Sequence, residues 1–192
     1  KKFKAMIENK YLNLKINDEN MSFVYELSKL FKISQKSFRT CLASFKGLPH
    51  RYETFLKRKN CIFINDSKST TFQSTKFALE NTKNIYWIVG GLPKKNDKII
   101  LRRFRKNIVK SYIIGKNTNF FKKKIERNLP FFVGKNLRNS INQILKDIKI
   151  FNRKDNTILL SPASASYDQY LNFEHRGNEF KKLCKLYARK YL

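Results

Sequence analysis

The run "NIYWIVGG" at 84–91 limits the fold more than any other part of the chain. An unbroken apolar stretch stopped by two glycines offers no polar face to water. It reads as a strand buried on both sides, and such strands belong to parallel sheets covered by helices on both faces. Short apolar runs alternate with helical patterns around it. Tyr52–Leu56 and Cys61–Ile64 read as strands that can form a hairpin around "KRKN". "KSYIIG" (110–115), "PFFVG" (130–134) and "NTILLSP" (156–162) read as further strands. Helices are expected at Phe72–Glu80, in "KIILRRFRKN" (98–107), in "KNTNFFKKKIER" (116–127) and in the closing "EFKKLCKLYARKYL". The stretch 137–151 has Ile141, Ile144, Leu145 and Ile148 at helical core spacing. Alternation of this kind predicts an α/β domain with a mainly parallel sheet and flanking helices.

Two helical patterns precede this domain. "ENMSFVYELSKLFK" (19–32) sets Phe23, Val24, Leu27, Leu30 and Phe31 on one apolar stripe. "SQKSFRTCLASF" (34–45) opens on a serine cap. "KGLPHRYE" (46–53) joins Gly and Pro and is the best boundary, dividing a helical part, 1–46, from the α/β part, 47–192.

Lys and Arg number 42 against 14 Asp and Glu, a formal net charge of +28. That is the usual footprint of a nucleic-acid binder. Here the lysines are spread over nearly every segment beside many Asn, Ile, Phe and Tyr, as A/T-rich codons would produce. Runs such as "FFKKKIER" then read as solvated helix faces, and no specific nucleic acid is expected. No apolar run approaches the roughly 18 residues of a membrane span. The start lacks the apolar core of a signal peptide. Three scattered cysteines form neither a disulfide framework nor a metal pattern, which fits a reducing cytoplasm. The chain begins without Met, as the back part of a longer protein would.

In parallel sheets ligands bind at the carboxyl ends of the strands. Three loops there have unusual content: "NDSKSTT" (65–71), "GGLPKKND" (90–97) and "SPASASYDQYLNF" (161–173). In the first, Thr70 or Thr71 can cap a helix whose free N–H groups, with Lys68, suit a carboxylate or phosphate. Asp66 can accept from hydroxyls such as a ribose. The same loop reads equally as a capped turn with a solvated lysine. In the second, two glycines allow a close backbone approach to a ligand, followed by Lys94 and Lys95. In the third, Ser166 and the Phe173 N–H can hold a carboxylate, with Asp168 and Glu174 as helix caps, or the loop is an Asx/Ser turn. "IIGKN" and "FVGKN" lack the spacing of a P-loop, and no Walker A motif occurs in the chain.

Taken in order, "GLPHRYE", "FINDSKSTT", "WIVGGLPKKND" and "LLSPASASYDQYLNFEHRGNEF" resemble the C-terminal part of the Mur ligases, over about residues 14–192. The last block is most similar to the D-glutamate-adding members. The resemblance implies a Rossmann-like C-terminal domain preceded by helices from the end of a central ATPase domain. It implies an ATP-dependent acid–D-amino-acid ligase of peptidoglycan precursor synthesis. Such enzymes use ATP with Mg²⁺ to activate UDP-N-acetylmuramoyl-L-alanine as an acyl phosphate, which the amine of D-glutamate attacks. Matched residue by residue, Arg51 corresponds to an arginine at the ATP phosphates, Asp66 to the aspartate at the ribose, and Lys68 to a lysine near the reacting groups. Thr70 and Lys94 correspond to D-glutamate contacts, and Ser166 and Phe173 to the pair holding its other carboxylate. Asn17 and Asn20, in "INDEN", match residues that help hold adenine, with Ile16 where the family has His. Ser69, Thr71 and Ser164 are further departures from the family pattern.

The P-loop, the UDP site and the central-domain metal ligands are absent from these 192 residues. The chain alone is therefore expected to be inactive, completed by N-terminal and central domains that would hold the metal. A stand-alone, non-catalytic binding module and a basic nucleic-acid-binding protein are the competing readings.

Overall fold

The structure is a computed structural model that describes residues 9, 12, 17–95 and 97–191. The chain divides into two compact units, Lys1–Leu48 and Pro49–Leu192.

The first unit carries helices α1 (Asp18–Leu30) and α2 (Gln35–Ser44). The Ser34 side chain accepts from the Ser37 N–H, so α2 starts on a serine cap. At its other end Asn9 donates to the carbonyls of Leu42 and Phe45, satisfying acceptors a helix terminus leaves open. A small core gathers Leu12, Met21, Phe38 and Leu42, with Tyr25 and Phe45 against it. The stripe expected to pack inward does not. Phe23, Leu30 and Phe31 are 73%, 74% and 71% exposed. Helical periodicity defines a face, but nothing among the described residues of this unit covers that face.

The second unit is a six-stranded sheet in the order β1-β2-β6-β3-β4-β5. β1 (Glu53–Arg58) and β2 (Cys61–Asn65) form the expected antiparallel hairpin. The remaining pairings, with β3 (Ile85–Gly90), β4 (Ile108–Ile114), β5 (Phe131–Lys135) and β6 (Asn156–Leu160), are all parallel. β3 and β6 are buried along their whole lengths.

Alternate residues of each strand feed two separate cores. Phe63, Tyr86, Ile88, Tyr112, Ile158 and Leu160 face α5 (Leu137–Phe151) and α6 (Phe173–Tyr191). Ile64, Trp87, Val89, Ile113 and Leu159 face α3 (Phe72–Asn81) and α4 (Thr118–Ile125). Each such side chain contributes about 1.5–3 kcal/mol when fully buried. The basic run in α4 is solvated: Lys122–Lys124 are exposed while Phe121 and Ile125 are buried. The helix expected over 98–107 is only a 3-10 helix, Arg102–Asn107. Its buried Leu101 and Phe104 lie three residues apart, which suits a three-residue turn.

Candidate functional site

β2, β6 and β3 are neighbours and run parallel, so the loops that follow them leave one rim of the sheet. Backbone hydrogen bonds join the loops just past the strands. The Asp66 N–H donates to Leu160 O (2.7 Å) and the Gly90 N–H to Pro162 O (2.9 Å). Leu92 and Ala165 exchange hydrogen bonds of 2.9 and 3.0 Å. The last pair needs Gly91: it has φ +138°, and a Cβ there would lie 2.3 Å from Ala165 O.

The first loop is organised from beneath by Asp66, which is only 5% exposed. Its Oδ1 accepts from the Tyr52 N–H (3.0 Å), and its Oδ2 from the hydroxyls of Ser69 (2.5 Å) and Ser161 (2.7 Å). Burial pushes its pKa up to about 6, although these donors and the charge of Arg51 favour the carboxylate. The site residue expected at a ribose is thus also the knot that ties the first loop to the third. Arg51 itself is exposed.

Lys68 is exposed, with Nζ 3.9 Å from the centre of the Phe173 ring, while its backbone N–H donates to His50 O (3.0 Å). Loop one and the start of α6 meet here. Ser67 Oγ donates to Phe173 O (2.8 Å). Ser166 is buried, and its Oγ has no hydrogen-bond partner among the described residues. Thr70 is half-buried beside Lys68, and Thr71 rather than Thr70 caps α3, in a reciprocal pair with Ser74. Asp168 and Glu174 do not cap α6. Asn172 does so, its Oδ1 accepting from the His175 N–H (2.7 Å), whereas Asp168 accepts from the Lys116 N–H (2.8 Å).

The N-terminus of α3, expected as an open anion site, is partly filled by the protein. Asp97 Oδ2 accepts from the Phe72 N–H (2.6 Å). The carboxylate thereby pins the loop that carries exposed Lys94 to the start of α3. Asn17 and Asn20 belong to the first unit, at the N-cap and first turn of α1, and the Asn17 side chain makes no capping hydrogen bond. Ile16 lies outside the described residues. Among the described residues, no three His, Cys, Asp or Glu side chains cluster as a metal site requires.

Sequence reasoning missed two groups behind the rim. The first is His50, whose Nδ1 accepts from Asn65 Nδ2 (2.9 Å) while Asn65 Oδ1 accepts from the Ser67 N–H (3.2 Å). Burial and then the charge of Lys181 lower its pKa, in keeping with an unprotonated Nδ1. The His50 ring stands edge-on to Phe173. The second is Arg176, 1% exposed, which reaches Ser67 and Ser164. The glycine that follows it, with no side chain to fit against His50, was the one available signal.

No family model matches the chain. Curated relatives do. Over 93% of its length the chain is 36% identical to the UDP-N-acetylmuramoylalanine–D-glutamate ligase of Wolbachia sp. subsp. Brugia malayi and 33% identical to that of Rickettsia conorii. It is 35% identical to the Bradyrhizobium diazoefficiens enzyme over 88% of its length. The chain spans about a third of these relatives (35%, 36% and 36%). Among solved structures, MurF from Acinetobacter baumannii has a TM-score of 0.64 at 12% identity, covering 90% of this chain and 38% of that one. MurF ligase from Thermotoga maritima in complex with ADP gives 0.50 at 13% identity, covering 86% of this chain and 37% of that one. Likeness in sequence along most of the chain and likeness in fold converge on one family, and the chain belongs to the Mur ligases.

Proposed function

We propose that this chain is the C-terminal part of an ATP-dependent ligase that adds D-glutamate to UDP-N-acetylmuramoyl-L-alanine in the cytoplasm. In this reading the first unit is the end of the central ATP-binding domain and the second is the domain that delivers D-glutamate. The remainder of the polypeptide supplies the P-loop, the uridine site and the Mg²⁺ ligands. The exposed apolar stripe of α1 supports this, because large apolar patches mark surfaces that something else covers.

The observation that carries the reading is the meeting of Lys68 with Phe173, from loops after β2 and β6, on the rim where Ser166 and Lys94 also lie. An acidic amino acid needs donors for two carboxylates. Ser166 Oγ and the Phe173 N–H would hold one, and Lys94 with Thr70 the other. That leaves the amine directed toward Lys68 and Arg51, whose positive charges would stabilise the phosphorylated carboxyl group as the amine attacks and phosphate departs. Asp66 would contact the ribose of ATP.

The test is phosphate release from ATP by the longer polypeptide that contains this chain. Release should require UDP-N-acetylmuramoyl-L-alanine and D-glutamate together. Release that continues without D-glutamate, or that a basic amino acid supports equally well, would sink the reading.

A further inference from the structure

Arg176 is a buried cation with no carboxylate in hydrogen-bond contact among the described residues. Its Nε donates to Ser67 Oγ (3.0 Å) and its Nη2 to the carbonyls of Ser67 (2.8 Å) and Ser164 (3.1 Å). Nη1 is buried with no hydrogen-bond partner among the described residues. A Cβ on Gly91 would come within 3.3 Å of Nη1. The guanidinium therefore touches the first and third rim loops and lies against the second.

Removing a guanidinium from water is costly unless its surroundings compensate. A side chain needed only as filler at this helix position would be cheaper as Met or Leu. What a neutral side chain cannot do is clamp a hydroxyl and two carbonyls in one plane, as a rigid fork of donors does. The clamped groups are chosen in a telling way. Ser67 precedes Lys68, and its hydroxyl passes the contact on to Phe173 O. Ser164 lies two residues before Ser166.

We propose that Arg176 is a positioning residue that, through Ser67 and Ser164, sets Lys68, Ser166 and Phe173 in register for an acidic amino-acid substrate. The identity of that substrate rests on the function proposed above, whereas the positioning of Lys68 does not. Acting through other residues, Arg176 need not touch the ligand at all.

The experiment uses the whole chain as wild type, Ser67→Ala, Arg176→Met and Arg176→Lys, each with a thermal melt. The first readout needs no ligand. The ε-methylene protons of Lys68, held over the Phe173 ring, carry an upfield ring-current shift in NMR spectra. Ser67→Ala and Arg176→Met should lose most of that shift while amide signals from α5 stay in place, and Arg176→Lys should retain part of it. The second readout is D-glutamate titration, where the first two variants should bind roughly tenfold more weakly or worse. Folded variants that keep the full Lys68 shift overturn the proposal. If Arg176→Met does not fold, Ser67→Ala decides alone. If the wild-type chain fails to bind D-glutamate, the substrate reading fails, and the Lys68 shift still decides the positioning role.

Discussion

Lys68 Nζ rests 3.9 Å from the centre of the Phe173 ring, so a cation from the loop after β2 and an aromatic face from the start of α6 hold one another. A cation–π pair at an exposed site contributes about 0.5–1 kcal/mol. Lys68→Met should thus leave the melting temperature nearly unchanged; under the proposed function it should reduce kcat/KM of the longer polypeptide by roughly a hundredfold, the loss expected if Lys68 stabilises the reacting charge. Phe173→Leu keeps the backbone N–H and removes only the ring, so its loss should be smaller, about tenfold. Equal losses in the two variants would mean that the ring, not the ammonium, carries the effect.

Asp66 makes a pH-dependent contribution to stability. Burial lifts its folded pKa to about 6, above the 3.8 of an ordinary aspartate. The folded state therefore holds this proton more tightly than the unfolded state does. The stabilisation is fully present below pH ~4 and is lost as pH rises through ~6, amounting to about 3 kcal/mol. Urea unfolding of wild type and Asp66→Asn between these limits should give a difference that shrinks by that amount as pH rises. A difference constant with pH would place the carboxyl in an ordinary solvated state.

Gly177 is the seat of His50. A Cβ at position 177 would lie 2.2 Å from His50 Nδ1 and 3.0 Å from Asn65 Nδ2. Gly177→Ala should therefore destabilise the fold by about 1–3 kcal/mol, as overpacking does, despite the better helix propensity of alanine. His50→Gly removes the obstructing ring at a position with φ +62° that glycine adopts freely. The double variant should cost clearly less than the sum of the two single changes, read from denaturant midpoints.

Asp97 acts as a remote cap of α3. Asp97→Ala should cost about 1 kcal/mol, the usual penalty for a lost cap. Under the proposed function, in which Lys94 holds a D-glutamate carboxylate, it should also weaken D-glutamate binding, because Asp97 pins the loop of Lys94 to the Phe72 N–H. Asp97→Asn keeps an oxygen acceptor and should recover most of both effects. A titration of the three chains against D-glutamate, with melting curves, checks this.

Much of the architecture is legible in the sequence because it rests on periodicity. The unbroken run 85–89 could only be a strand covered on both sides, and the apolar spacing of 137–151 defined α5. The rim was legible for a different reason: hydroxyls, glycines and lysine cluster where strands stop. What failed were matters of long-range cover. Nothing local indicates that Arg176 and His50 lose their water, since each does so only when α6 lies across the loop after β2. The stripe of α1 was readable as a face, but its exposure depends on what lies opposite it. The segment 98–107 shows helical spacing, and only packing beside β4 distinguishes a 3-10 turn from an α-helix.

β6 has a consequence for synthesis. It is the last strand in the chain and sits in the middle of the sheet, between β2 and β3. A ribosome delivers β1 through β5 before it, so the growing chain holds a hairpin and a three-stranded layer with a slot between them. Pairings such as Phe63 with Ile158 bridge nearly a hundred residues, and contacts that distant form slowly. Until β6 enters the slot and α6 packs behind it, the unpaired edges of β2 and β3 face water, ready to pair with another chain. Nascent and stalled forms of this protein should therefore depend heavily on chaperones, and a rare-codon pause just before residue 156 would be the most costly place to wait.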